Sequence, residues 1–460
     1  MHRHLSRSFA ATGATALLAT ALLTAPGAQA AAATTCQGKT VTIDGTGQPT
    51  VTGTPGNDVI SASQGSTVNA LAGDDTICVV PGAVTSPPAP AGATTIDAGE
   101  GNDSVESGVV GQPNPDKISL GAGDDILIFH GVQTPAGSAD FGDGNTTLVD
   151  SDGGVVAINA TTKVLERNAV VALRWQGTVT TYVVESTATS VAFTGTSGAE
   201  TFVLRDPATG ATPTTVAVDM AGGDDTVTIR SNVLDGSTWA GGDGTDLFQV
   251  LYDYKQLLLD LRSGQFETGA PDVTIDQVVR TFENVDAVTA TIAVKGSDPA
   301  NALNLQGCMV TAAGRAGADT IGTNVELGAP PLTCSSNKLV ARGGKDADTI
   351  LGSVGADRLF GNLGEDLITA NGGDDVIFGG VDADRVRGKA GNDKVRGGEG
   401  DDELAGNAGN DRVQGDQGND RLLAHGGDDV LVGGLGFDRA NGGKGLDKCS
   451  AVERSRKCES

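Results

Sequence analysis

Twelve aspartates recur every nine residues without an insertion: Asp348, Asp357, Asp366, Asp375, Asp384, Asp393, Asp402, Asp411, Asp420, Asp429, Asp438 and Asp447. So strict a short period leaves few folds open, because each unit must repeat one local backbone and stack on its neighbours to bury anything. Two residues after each Asp stands a small-to-medium apolar residue, from Ile350 and Leu359 through Leu431 to Ala440 and Cys449. Two residues before, ten units have Gly, with Asp346 and Asp382 as exceptions; five before, ten again have Gly, with Ala370 and Ala424 as exceptions. Paired glycines allow left-handed backbone, so six residues close a tight loop whose carbonyls point inward. The next three residues form one short rung with its central apolar residue facing in. Loop and rung, twice over, make an eighteen-residue coil. Six such coils at a strand spacing of ~4.8 Å give a parallel stack of roughly 28 Å.

Energetics indicate what such a stack lacks. Ordering each backbone costs on the order of 1–2 kcal/mol, while one buried Leu or Val returns only ~1.5–3 kcal/mol per unit. Stacking also sets each Asp beside the one eighteen residues away, and neighbouring like charges repel. A hard divalent cation answers both problems. Calcium takes six to eight oxygens, from carboxylates and carbonyls, whereas magnesium holds on to its waters.

The nonapeptide Gly-Gly-x-Gly-x-Asp-x-apolar-x, met at every fixed position by Gly397-Gly398-Glu399-Gly400-Asp401-Asp402-Glu403-Leu404-Ala405, resembles the RTX (hemolysin-type) calcium-binding repeat family. The resemblance implies a parallel β-roll over residues 341–448. In it the loops of units n and n+2 sandwich one Ca2+ ion, with the twelve aspartates as metal ligands and ten facing pairs as the upper bound.

Upstream the signature Gly-x-Asp-x-apolar returns at Asp58, Asp75, Asp103, Asp125, Asp225, Asp246 and Asp319, but at irregular spacing. These predict an irregular β-solenoid over residues 31–150 and a β-rich middle region with degenerate repeats over 151–340. Without an eighteen-residue register, facing Asp pairs are not assured there. Two blocks dense in Val, Thr and Ile, 155–202 and 251–303, read as strands, with a short helix predicted around Ala270 to Glu283. The fold class is all-β throughout.

Arg3 and Arg7, the apolar stretch from Phe9 to Ala25 and the small-residue pattern Ala28-Gln29-Ala30 predict a secretory signal peptide over residues 1–30. The expected location is therefore secreted and extracellular, with no membrane span in the mature chain. All six cysteines lie beyond the leader, and neighbour pairing, Cys36–Cys78, Cys308–Cys334 and Cys449–Cys458, is the simplest of the 15 connectivities. The last pair would staple residues 449–460 to the end of the roll. A zinc site is the competing reading, but no C-x2-C spacing supports it.

With 31 Lys and Arg against 58 Asp and Glu, the chain carries a formal charge of −27, which disfavours nucleic acid and anionic membranes as partners. Only four His occur, and the two outside the leader, His130 and His425, read as surface or loop residues. No G-x-S-x-G, HExxH, P-loop or dinucleotide fingerprint is present. Carboxylate pairs such as Asp74/Asp75, Asp124/Asp125 and Asp224/Asp225 sit in glycine-rich turns rather than in an acid/base site. The sequence thus predicts a secreted, non-enzymatic calcium-binding repeat protein that folds on calcium. Competing readings are a calcium-dependent polysaccharide lyase or epimerase on the solenoid and a structural or adhesive cell-surface protein; any protein or polysaccharide partner is unspecified.

Overall fold

The computed structural model describes residues 35–459 apart from 82–91, 110–111, 132–135, 151, 153, 186–187, 207–214, 232, 235, 252–255, 271–272, 324–333 and 335–336. The predicted signal peptide and residues 82–90 of a Pro-rich stretch lie outside the described residues. Within them there is no helix, and none long and apolar enough to cross a membrane.

Strands fall alternately into two long parallel sheets. One sheet holds Val59–Ser63, Thr76–Val80, Ser104–Ser107, Thr226–Arg230, Thr349–Leu351, Leu367–Thr369 and Arg385–Ala390; the other holds Thr67–Asn69, Thr95–Asp97, Thr215–Asp219, Arg358–Leu363 and Val376–Val381. Alternation of side chains sends the residue two past each Asp inward. Each then stacks on its equivalent one coil away: Ile60 on Ile77 on Val105 on Leu127 upstream, and Ile350 on Ile368 on Val386 on Leu404 on Leu422 on Ala440 in the roll. All of these are buried. The predicted β-roll over 341–448 and the solenoid before it are one continuous pair of sheets.

Two excursions break the parallel rule. Gly154–Asn159, Val164–Arg167 and Val170–Gln176 form an antiparallel meander whose first strand pairs forward with Ala188–Thr194 and whose last pairs back with Gly137–Asp140. Gln256–Asp260, Gln265–Ala270 and Val273–Arg280 repeat the device between Thr291–Lys295 and Thr238–Ala240. Each meander inserts two strands into one sheet only, since Thr147–Asp150 still pairs directly with Thr181–Glu185 across the way, as does Leu247–Val250 with Asn284–Val288. The helix predicted around Ala270 to Glu283 is therefore absent. Val273–Arg280 is a strand, because partners on both sides reward the extended backbone that its β-branched residues favour.

Large rings fill the core beside these excursions. Trp175, Tyr182, Phe193 and Phe202 form one chain of contacts with centroids 4.8–6.3 Å apart; Trp239, Phe266 and Phe282 surround Phe248 at 5.0–6.0 Å. The disulfides are Cys36–Cys78, Cys308–Cys334 and Cys449–Cys458, the neighbour pairing expected, with Cα separations of 5.7, 5.3 and 5.7 Å.

Candidate metal centre

In the roll each loop ends in a buried Asp directly before the next strand, and the two glycine positions before it do different jobs. The residue two before the Asp is left-handed in every roll unit except at Gly355: Gly391, Gly400, Gly409 and Gly418 have φ of 128–135°. Asp346 (φ 72°) and Asp382 (φ 80°) take the same turn in place of glycine, as Asp can. Five before, glycine answers to space rather than to dihedral, with Ala370 and Ala424 the two roll positions that accommodate a Cβ. A Cβ on Gly343 would fall 2.1 Å from Asp348 Oδ2 and 2.8 Å from the Gly361 carbonyl oxygen, and on Gly397 2.1 Å from Asp402 Oδ2 and 2.8 Å from the Gly415 oxygen. A carboxylate oxygen and a carbonyl oxygen of the next coil thus converge on one point, repeatedly.

The carboxylates themselves form two ladders, one on each edge of the stack. On the first edge the Asp348 amide donates to Asp366 Oδ1 at 2.8 Å, and the bond repeats through Asp384, Asp402, Asp420 and Asp438 at 2.8–3.0 Å. On the second, Asp357 donates to Asp375 at 2.7 Å, followed by Asp393, Asp411, Asp429 and Asp447 at 2.7–3.1 Å. All twelve are buried. Oδ1 of each is accounted for in this way or by a neighbouring amide, but the buried Oδ2 of eleven of the twelve accepts no hydrogen bond. The exception is Asp357, whose oxygens take the Ser353 amide and hydroxyl at 2.6 and 2.8 Å.

A buried carboxylate oxygen with no donor needs a proton or a cation, since leaving it bare costs on the order of 1–3 kcal/mol or more. Burial, reinforced by the facing carboxylates, pushes the acids upward: Asp366 and Asp420 to about 6, Asp348, Asp384, Asp402 and Asp411 to about 7, and Asp375 to about 8. The donor set is oxygen only, carboxylate plus carbonyl, which fits calcium and offers nothing to a soft metal. Among the described residues no three His, Cys, Asp or Glu side chains gather at one point. A cation here would therefore draw the rest of its oxygens from the backbone.

Facing acids also occur upstream, where the spacing did not assure them. Asp58 donates to Asp75, Asp75 to Asp103 and Asp103 to Asp125, at 2.8–2.9 Å and across gaps of 17, 28 and 22 residues. Asp225 donates to Asp246 and Asp319 to Asp348, so the first-edge ladder enters the roll from outside it. Oδ2 of Asp75, Asp103, Asp125, Asp225, Asp246 and Asp319 is buried and without a donor. The gaps differ because extra residues, including those between Thr320–Gly322 and Lys338–Gly344, are taken up on the second edge, while the first-edge turn keeps its length up to each of these aspartates and shortens only after the meanders, at 177–180 and 281–283.

Among the ladder members that escaped the sequence reading are Glu200, whose amide donates to Asp225; Glu283, which accepts from Asp246; and Asn301, which donates to Asp319. The apolar residue two positions on, Phe202, Val285 or Leu303, was the available signal. At the starts of these ladders the acid or amide is capped from within its own loop by a hydroxyl residue four before it: Thr54 on Asp58, Thr196 on Glu200, Ser297 on Asn301 and Ser353 on Asp357.

His130, expected at the surface or in a loop, lies in a loop just after Ile126–Phe129 but not at the surface. It is buried, with Nδ1 2.6 Å from Asp152 Oδ1 and Nε2 3.4 Å from Glu106 Oε1. Burial pulls its pKa down, but bonding and charge from Asp152 and Glu106 prevail and hold it at about 9. Fully buried Arg167 joins the group through Asp150 and Asp152. His425 lies within the strand Arg421–Gly426, exposed and with left-handed backbone, so of its expected surface or loop position the surface part holds.

Comparison with known families matches residues 50–77, 340–368, 351–386, 360–395, 378–413, 405–440 and 423–450 to the RTX calcium-binding nonapeptide repeat (4 copies). The C-terminal region therefore carries several copies of RTX calcium-binding nonapeptide repeats, and one further match lies near the start of the described chain. No curated protein matches the chain.

Proposed function

We propose that this chain is a secreted, non-enzymatic calcium-binding protein whose C-terminal roll orders when calcium enters the carboxylate ladders. The observation that carries this reading is the row of buried Oδ2 atoms without donors on eleven ladder aspartates. Asp348, Asp366, Asp384, Asp402, Asp420 and Asp438 on one edge, and Asp375, Asp393, Asp411, Asp429 and Asp447 on the other, would hold the ions together with loop carbonyls. Bound calcium supplies positive charge between stacked carboxylates. The chain's own part is to exclude water with the inward Ile, Leu and Val residues and to hold each carboxylate by the neighbouring coil's amide. Asp357, already satisfied by Ser353, belongs to the end of its ladder rather than to the ion-binding set.

Extracellular calcium modules work at Kd of ~10⁻⁴–10⁻³ M, so a chain unfolded inside the cell would order on export. The signal-peptide pattern of residues 1–30 and three disulfides support that location. Calcium titration by calorimetry, with circular dichroism in parallel on the full mature chain, tests the reading. Saturable binding with a gain of β structure is expected. Full β structure of residues 341–460 in excess chelator overturns it.

A further inference from the structure

We infer that the calcium-loaded roll presents a flat cationic face that binds linear acidic polysaccharide, and that calcium switches this binding on. The inference rests on the calcium reading above. Its starting point is an uneven distribution of charge: residues 338–460 hold 17 of the 31 Lys and Arg, against 23 Asp and Glu, a formal −6. The acids concentrate in the loop edges, and neutralising the eleven uncapped ladder carboxylates leaves the segment at +5.

The cations are outside, on the sheets. Directly after the second-edge aspartates, Arg358, Lys394, Arg412 and Lys448 stand in one in-register column, interrupted only by Val376 and Val430. All four are exposed, and none has an ion-pair partner among the described residues. On the opposite sheet, by contrast, Glu403 pairs with both Arg385 and Arg421. The column runs straight for five coil steps, roughly 24 Å at ~4.8 Å per strand. Beside it, Phe360 and Phe378 lie stacked with centroids 5.4 Å apart.

This pattern suits one class of polymer. A linear glycan advances by about one coil rise per pyranose ring, so successive rings meet successive rungs, with acidic groups on the cations and C–H faces on the valine and phenylalanine surface. A DNA duplex curves its phosphates away from a flat, straight face and meets it over few contacts. Without calcium the acidic edges flank the column within a Debye length of ~8 Å and repel any polyanion.

The test measures binding of dextran sulfate to the full mature chain, in calcium and in EGTA, with neutral dextran and duplex DNA as comparisons and circular dichroism reporting the fold. Dextran sulfate is expected to bind only with calcium, and to weaken at least about tenfold between about 50 and about 200 mM salt. Lys394→Gln with Arg412→Gln should weaken it about tenfold while calcium titration stays unchanged; Arg385→Gln with Arg387→Gln on the other sheet should not. A chain that orders with calcium yet ignores dextran sulfate overturns the face while leaving the calcium reading intact. Equal binding in EGTA overturns the switch, and DNA binding as tight as dextran sulfate overturns the polysaccharide assignment. Should the Lys394/Arg412 variant lose its calcium response, Arg358→Gln with Lys448→Gln is the replacement. Unchanged binding by that pair overturns the column.

Discussion

The roll and the coils before it share one backbone plan but hold their cores together by different means. Upstream, the residue five before the acid is often a core side chain, as with Ala98, Leu120 and Met220, and two clusters of buried rings widen the interior beside the meanders. In the roll that position is nearly always glycine, so each half-coil buries little more than one aliphatic side chain. The first region can repay its ordering entropy with apolar area, at ~25 cal/mol per Å². The second has acids on both edges and little to offset them until a cation arrives. Regular repetition, on this comparison, is the mark of the less self-sufficient half.

The strongest attempt to separate the halves is removal of calcium. Excess EGTA should abolish most of the β signal contributed by residues 341–448 while the upstream aromatic cores keep their near-UV spectrum; loss of both together would show that the halves do not differ. Acidity should partly replace the metal. Folded-state pKa values raised to about 6–8 mean that the acids favour folding when protonated. In chelator this contribution is complete below about pH 4 and disappears as pH climbs through 6–8. Chemical denaturation in EGTA at several pH values should therefore show the roll strongest in acid, the reverse of ordinary acid denaturation.

Point changes sharpen the contrast further. Phe248→Ala should cost about 3–5 kcal/mol of upstream stability with no change in calcium number, measured by urea denaturation and calorimetry. Gly397→Ala, which drives a Cβ onto the Asp402 carboxylate, should cost about 1–3 kcal/mol and weaken calcium binding. Gly222→Ala, whose Cβ would meet nothing nearer than 3.4 Å, should stay within about 0.5 kcal/mol. The smallest effect is expected from Ser353→Gly, which removes the hydroxyl from Asp357 Oδ1 but keeps the backbone amide on Oδ2, and should leave the calcium stoichiometry measured by calorimetry unchanged.

What could be read from the chain beforehand follows the same division. Where unit length is constant, spacing alone located all twelve roll acids and their inward neighbours, because stacking equivalent residues demands equal intervals. Upstream, the intervals vary, so Asp58 to Asp125 were recognisable as turns but not as one column; the spacing does not show on which edge the excess length lies. The meanders were legible only as β-rich stretches, since reversing a strand's direction does not change its composition. The helix predicted around Ala270 to Glu283 failed because strand pairing on both sides, with the adjacent Gln265–Ala270 and the more distant Thr238–Ala240, outweighed the local helix signal. His130 was misjudged for a similar reason: Asp152 and Glu106 reach it from neighbouring coils.

The equal length of the first-edge turn at each ladder aspartate has a consequence for how such a chain can change. Lengthening at the second edge has already been absorbed between Thr320–Gly322 and Lys338–Gly344, with Asp319 and Asp348 still bonded at 2.8 Å. One margin thus behaves as a fixed spine and the other as a place where new segments can be spliced in, by mutation over generations or by a protein engineer, without the molecule losing count of its turns.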